Sequence, residues 1–170
     1  SDISLQNFLD EYWQKKPVLL KQAIPNFLSP LSPEDLAGLS LEADVESRIV
    51  TENPAHNPAW ELKSGPFTDA DYKNMPSSHW TLLVQAVDTL IPEIQDLLNL
   101  FDFIPQWRVD DIMISYAALH GSVGPHYDNY DVFLFRREPF SFFRRSEITS
   151  DRCEAEDVEE TESAGARIEG

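Results

Sequence analysis

Two hydrophobic rhythms divide this chain. In its first hundred residues apolar positions recur mostly at helical spacing, and from Trp107 onward they alternate. Leu5, Phe8, Leu9 and Tyr12 follow the i, i+3, i+4, i+7 pattern behind Ser4, a capping residue, which predicts an N-terminal helix stopped by Pro17. Val18, Leu19 and Leu20 read as a short buried strand. Ser32, Pro33, Glu34 and Asp35 give a cap, a proline at the first helical position and two acids facing the helix dipole, predicting a helix over residues 33–41. Residues 47–51 and 60–63 read as two strands of a hairpin joined by a loop rich in proline and asparagine, after which Gly65 and Pro66 turn the chain. Behind Ser77 or Ser78, the residues Trp80, Leu83, Val84, Val87, Leu90 and Ile91 line one side of a predicted helix. Pro92 interrupts that helix, and Ile94, Leu97, Leu98 and Phe101 continue its apolar face.

Over residues 108–116 the period becomes two. Ile112, Ile114 and Tyr116 share one face of the predicted strand, and Asp111, Met113 and Ser115 share the other. The first face is ordinary core. The second mixes a carboxylate, a thioether and a hydroxyl, which suits the lining of a cavity, although Asp111 reads equally well as a solvated strand residue. A turn over residues 118–125 leads to a further predicted strand that starts at His126 and runs through Phe135.

Composition narrows the function classes. The chain has 170 residues, 42% of them apolar and 11% aromatic, enough for one folded domain with a sizeable core. No apolar run reaches eighteen residues, so no membrane-spanning helix is expected. The first residue is Ser1, so the natural start is expected to have been trimmed. A single cysteine, Cys153, excludes an internal disulfide framework and fits a reducing cytoplasm; its acidic surroundings favour the unreactive thiol. The net charge of −17 divides into −13 over residues 1–135, +2 over residues 136–150 and −6 over residues 151–170. An acidic body repels phosphate backbones, which argues against direct nucleic-acid binding, and attracts a basic protein. A merely solvated acidic surface is the plainer reading of the same charge. No glycine-rich phosphate loop or paired zinc-ligand motif occurs.

The stretch from Gly121 to Asp131 carries the candidate chemistry. On a strand, His126 and Asp128 point to the same side, so an imidazole and a carboxylate can reach one metal ion, with Tyr130 leaning toward the same space. A His-x-Asp pair is two-thirds of the facial triad of non-haem Fe(II) oxygenases, which leaves half the coordination sphere open for co-substrate and dioxygen. His56 and His79 read as surface histidines, and His120 lies just before the loop.

With these residues in place the chain resembles the bacterial JmjC-type, cupin-fold ribosomal oxygenases. The resemblance rests on YWQKKPVLLK at residues 12–21, SGPF at 64–67, WTLLVQAV at 80–87, WRVDDIMIS at 107–115 and VGPHYDNYDVF at 123–133, spread in order over residues 5–135. It implies an α+β fold, in which a helical N-terminal region leads into a cupin/JmjC double-stranded β-helix (a jelly roll). Residues 1–105 would form the N-terminal α/β part and residues 106–148 the first strands of an incomplete barrel, with 149–170 an acidic, disordered tail. It also implies an Fe(II)- and 2-oxoglutarate-dependent dioxygenase that hydroxylates an arginine side chain of a basic large-subunit ribosomal protein. Matched onto the motif, His126 and Asp128 look like metal ligands, and Asp111, Met113 and Tyr130 look like the residues that hold the substrate arginine. The pairing is chemically apt: a carboxylate binds a guanidinium, and an aromatic ring and a thioether stem flank its flat faces.

After Phe135 the sequence leaves the family pattern. Relatives carry a second ligand histidine downstream, whereas no histidine follows His126 here, and neither Arg144 nor Arg145 stands in register to anchor 2-oxoglutarate. A reading-frame shift or truncation is the expectation for residues 136–170, ahead of a regulatory tail. Besides the oxygenase, two other readings stand: a non-catalytic binding module that keeps an acidic arginine-recognising surface, and an inert fragment. Oligomerisation is an expectation for full-length relatives alone.

Overall fold

The computed structural model describes residues 3–20, 23–25, 27–53, 55–129, 131–136 and 163–169; residues 136 and 163–169 are described by their backbone path. Tyr130 lies outside the described residues.

Helix α1 (Leu5–Glu11) starts where Ser4 accepts a hydrogen bond from the Asn7 N–H, as its sequence predicts. Helix α2 (Pro33–Leu39) opens with a full capping box in which Ser32 and Asp35 satisfy each other's backbone donors. The hairpin is present as β1 (Ser47–Glu52) and β2 (Trp60–Ser64). A short helix α3 (Asp69–Lys73) follows, capped reciprocally by Thr68 and Asp71.

The predicted helix behind Ser78 is not there. Trp80–Val84 is strand β3, paired with β1 on one side and with β4 (Ile112–Ala117) on the other. Thr81, Leu82, Leu83 and Val84 are all buried, because both faces of this central strand are covered. An apolar run with no polar face has no period to read, so helical spacing there was coincidental. Ala86, in the left-handed region, ends the strand, and helical structure begins only afterwards, in the 3₁₀ turn Val87–Thr89, helix α4 (Pro92–Gln95) and the 3₁₀ segment Asp96–Phe101. Val18, Leu19 and Leu20 form no strand, and Leu19 is exposed.

Strand β5 (Val132–Arg136) begins later than predicted, and residues 121–129 are a loop. The expectation of a disordered tail also meets a difference. Ser163–Glu169 form strand β6, which pairs with β4 and with β5. Burial of large apolar groups was the wrong criterion there: an inserted strand gains backbone partners on both sides. The described strands form one antiparallel sheet in the order β2-β1-β3-β4-β6-β5, and it does not close into a barrel.

The sheet has two unlike faces. One meets the helices in the main core, built on Leu36, Ile49, Leu82, Val84, Ile112 and Ile114 among others. Phe133 of β5 joins it, stacked on Trp13 with 5.5 Å between ring centroids and 4.6 Å from the Phe101 ring. The opposite face carries a smaller cluster of Val50, Leu83 and Met113, with Trp60 and Val123 packed against it. As the alternation predicts, Ile112 and Ile114 take the first face and Met113 the second. No helix among the described residues is long and apolar enough to cross a membrane.

Candidate functional site

The smaller face is where the chemistry gathers. Arg48 on β1, Gln85 just past β3, and Asp111 and Met113 at the start of β4 meet there. The Gln85 amide donates from Nε2 to both Asp111 carboxylate oxygens, at 2.9 and 2.8 Å. Its Oε1 accepts from Arg48 Nη2 at 3.1 Å, and the same Nη2 lies 4.0 Å from the Met113 sulfur. A donor on one side and an acceptor on the other leave the Gln85 amide a single orientation.

Asp111 is half-buried, and burial pushes its carboxyl above the usual carboxylate range. The Gln85 hydrogen bond opposes that shift, nearby Asp110 and Asp88 reinforce it, and the Ala86 backbone N–H works against it. Asp88 itself is buried and accepts from the Ile112 N–H at 2.8 Å, fixing the start of β4. The result is a carboxylate held in place by neutral donors, with no cation paired directly to it among these contacts. Met113 is buried, and its sulfur already has a guanidinium neighbour in Arg48.

The loop of residues 121–129 crosses the same face. Val123 packs on the Val50, Leu83 and Met113 cluster, and Gly124 lies against the Trp60 ring. Two glycines make that close passage possible. At Gly121 a Cβ would stand 2.3 Å from the Trp80 carbonyl oxygen; at Gly124 the backbone has φ +75° and a Cβ would press on Trp60 at 3.2 Å.

His126 and Asp128 therefore come together without a strand. The His126 Nε2 lies 3.4 Å from Asp128 Oδ2, with the two side chains 42% and 32% exposed. On the other side of the ring, Nδ1 is 2.9 Å from the Gly124 carbonyl oxygen. A carbonyl only accepts, so Nδ1 carries a proton and donates, which turns the Nε2 edge of the ring toward Asp128. These two donors fit two positions on a metal. Among the described residues no group of three His, Cys, Asp or Glu side chains is placed to hold one. His120 lies against His79, with ring centroids 5.0 Å apart and the rings tilted by 32°.

Thus Asp111 and Met113 are brought together, His126 and Asp128 are brought together, and Val123 ties the second pair to the face that bears the first. Sequence reasoning missed Arg48 and Gln85. Reading residues 80–85 as a strand would have revealed Gln85, because positions 81, 83 and 85 then share the face opposite to the main core. A cleft of about 300 Å³ beside this face, lined by residues 43–48 and 64–66, shares Arg48 with the site.

Comparison with known proteins gives this arrangement a lineage. Residues 96–163, which include β4, the loop and β5, match the JmjC domain family. Over 130 residues the chain is 42% identical to the ribosomal protein uL16 3-hydroxylase of Escherichia coli, covering 76% of this chain and 34% of that one. The chain is a relative of the bacterial JmjC-type ribosomal oxygenases. A probable ribosomal oxygenase of Haemophilus influenzae is 41% identical over 132 residues, covering 78% of this chain and 32% of its own. The chain thus spans about a third of the length of these curated relatives. Among solved structures, that of the E. coli ribosomal oxygenase YcfD superposes with a TM-score of 0.83 at 33% identity, over 99% of this chain and 51% of the other. The same enzyme in complex with cobalt and 2-oxoglutarate gives a TM-score of 0.75 at 31% identity, over 99% of this chain and 48% of the other. The fold is accordingly that of the JmjC/cupin oxygenases, with an open sheet in this chain.

Proposed function

We propose that this chain carries part of the active site of a cytoplasmic, Fe(II)- and 2-oxoglutarate-dependent hydroxylase acting on an arginine side chain of a basic large-subunit ribosomal protein. The observation that carries the reading is the loop of residues 121–129, packed through Val123 on the face that bears Asp111 and Met113 and bringing His126 and Asp128 together. The relatives named for ribosomal-protein hydroxylation, and the one bound to cobalt and 2-oxoglutarate, support the reaction class.

In this reading His126 and Asp128 are two of the metal's ligands. When bound, the metal and its co-substrate supply the oxygen chemistry. The described residues do not complete that centre, so the chain's own contribution is recognition and placement. Asp111, oriented by the Gln85 amide, pairs with the substrate guanidinium. Met113 and Tyr130 flank its flat faces, and the apolar wall of Val50, Leu83 and Trp60 keeps water from that side. The acidic body, with a net charge of −17 over the whole chain, draws in a basic partner.

The test is 2-oxoglutarate conversion to succinate by the 170-residue chain with Fe(II), with and without an arginine-bearing peptide from the ribosomal protein. Peptide-stimulated succinate release that disappears in Asp128→Ala is the expected result for a competent centre. The same assay separates the second reading, a binding module without turnover. That no third ligand stands beside His126 and Asp128 among the described residues favours it: peptide would then bind in an Asp111-dependent manner with no succinate formed. A folded chain that neither binds the peptide nor turns over would contradict both.

A further inference from the structure

We infer that Arg48 and Gln85 are positioning residues for the cation-binding carboxylate: Arg48 locks the Gln85 amide, and the amide in turn fixes Asp111 for an incoming guanidinium. The inference rests on the arginine-recognition role proposed for Asp111 and extends it to two residues that need not touch the substrate.

The geometry runs in one direction. Arg48 can only donate, so the atom of Gln85 that faces it at 3.1 Å must be the carbonyl oxygen. That choice turns the amide nitrogen toward Asp111, where it meets both carboxylate oxygens at 2.9 and 2.8 Å. Were the amide reversed, its oxygen would oppose the carboxylate and its nitrogen would oppose the guanidinium. Each contact would then be repulsive, so the three groups have one satisfied arrangement. Arg48 is kept from pairing with Asp111 itself by the intervening amide. A permanent guanidinium directly on Asp111 would compete with any arginine ligand; a neutral amide orients the carboxylate without cancelling its charge.

The setting explains why such support is needed. Asp111 faces Gln85 and the Ala86 N–H from the end of β3, Asp88 from the 3₁₀ turn, and Asp110 from its own segment, with Arg48 of β1 reaching it only through Gln85. Two like charges and partial burial therefore press against its ionised form, and the Gln85 amide is the principal opposing contact. No other acidic side chain of this face is held in this way among the described contacts.

The test uses the whole 170-residue chain and two short probes, a glycine-flanked arginine peptide and its citrulline counterpart, which has nearly the same shape without the charge. Binding is followed by NMR titration across acidic and neutral pH. Wild type is expected to prefer arginine, and Gln85→Leu to lower that preference about tenfold. In Gln85→Leu the acid-side loss of arginine binding should also move to higher pH, because Asp111 is then easier to protonate. Arg48→Met should act in the same direction with a smaller effect, and Arg48→Lys, which restores a donor, should recover part of it. Near-wild-type spectra establish that each variant folds.

Equal loss of arginine and citrulline binding in Gln85→Leu, with the acid limb unmoved, would overturn the inference, since packing alone would then explain the effect. Tighter arginine binding in Arg48→Met would also overturn it, by showing that Arg48 is a competitor and not a support. The underlying reading fails separately. If Asp111→Asn keeps the arginine preference, Asp111 is not the recognition group; if Asp111→Asn loses it and Gln85→Leu does not, only the positioning role is lost.

Discussion

At the scale of single residues the site is defined by which atom faces which. The Gly124 carbonyl sets the His126 tautomer, and Arg48 sets the Gln85 amide. Both are orientation devices: one turns the Nε2 edge of His126 toward Asp128, and the other turns the Gln85 amide nitrogen toward Asp111. Asp111 shows what such placement costs. Burial raises its folded pKa above the unfolded value, so the ionised carboxylate lowers stability at neutral pH, and that loss is absent below the unfolded pKa. The stability of Asp111→Asn relative to wild type should therefore improve as the pH rises from acid to neutral, because only wild type ionises a half-buried carboxylate, while the hydrogen bond from Gln85 that Asn cannot accept is lost at every pH. The same variant should bind the arginine peptide poorly. A stability difference between Asp111→Asn and wild type that stays the same across that pH range would contradict a destabilising ionised Asp111.

At the scale of elements, the sequence made the polar-edged pieces readable and the buried ones ambiguous. Ser4, Ser32 and Pro33 announced α1 and α2 because caps act locally. The Thr68 to Asp71 capping box of α3 is legible from the same pattern. Strand β4 declared itself through alternation, which also separated Met113 from Ile112 and Ile114. Strand β3 did not, since a strand covered on both faces has no alternation, and its misreading as a helix concealed Gln85. The alternation places His126 and Asp128 on one face of a strand, whereas their proximity comes from a loop pressed onto the sheet and not from strand geometry. That loop depends on glycine. Gly121→Ala would drive a Cβ to 2.3 Å from the Trp80 carbonyl oxygen, a backbone atom that cannot swing away. Equilibrium denaturation of Gly121→Ala should show a loss of about 1–3 kcal/mol. An unchanged midpoint would mean that the loop does not lie as closely on β3 as described.

At the scale of the whole molecule, the described strands make an open sheet whose two faces divide the labour: one holds the main core, the other presents the site. The N-terminal segment contributes to the first through Phe8 of α1 and Trp13 just beyond it, which pack on Phe133, while Gln14 donates to Asp131 at 3.0 Å and ties the end of the loop down. The second face has one side built from Arg48, Gln85, Asp111 and Met113 and another delivered by residues 121–129. The central claim is that these two halves form one site. Titration of the chain with Co(II), followed residue by residue through paramagnetic broadening of its NMR signals, tests this most directly. The expected broadening centres on His126 and Asp128, extends to Val123 and the Met113 methyl group, and vanishes in Asp128→Ala. Broadening centred on the neighbouring pair His79 and His120, or unaffected by Asp128→Ala, would contradict it.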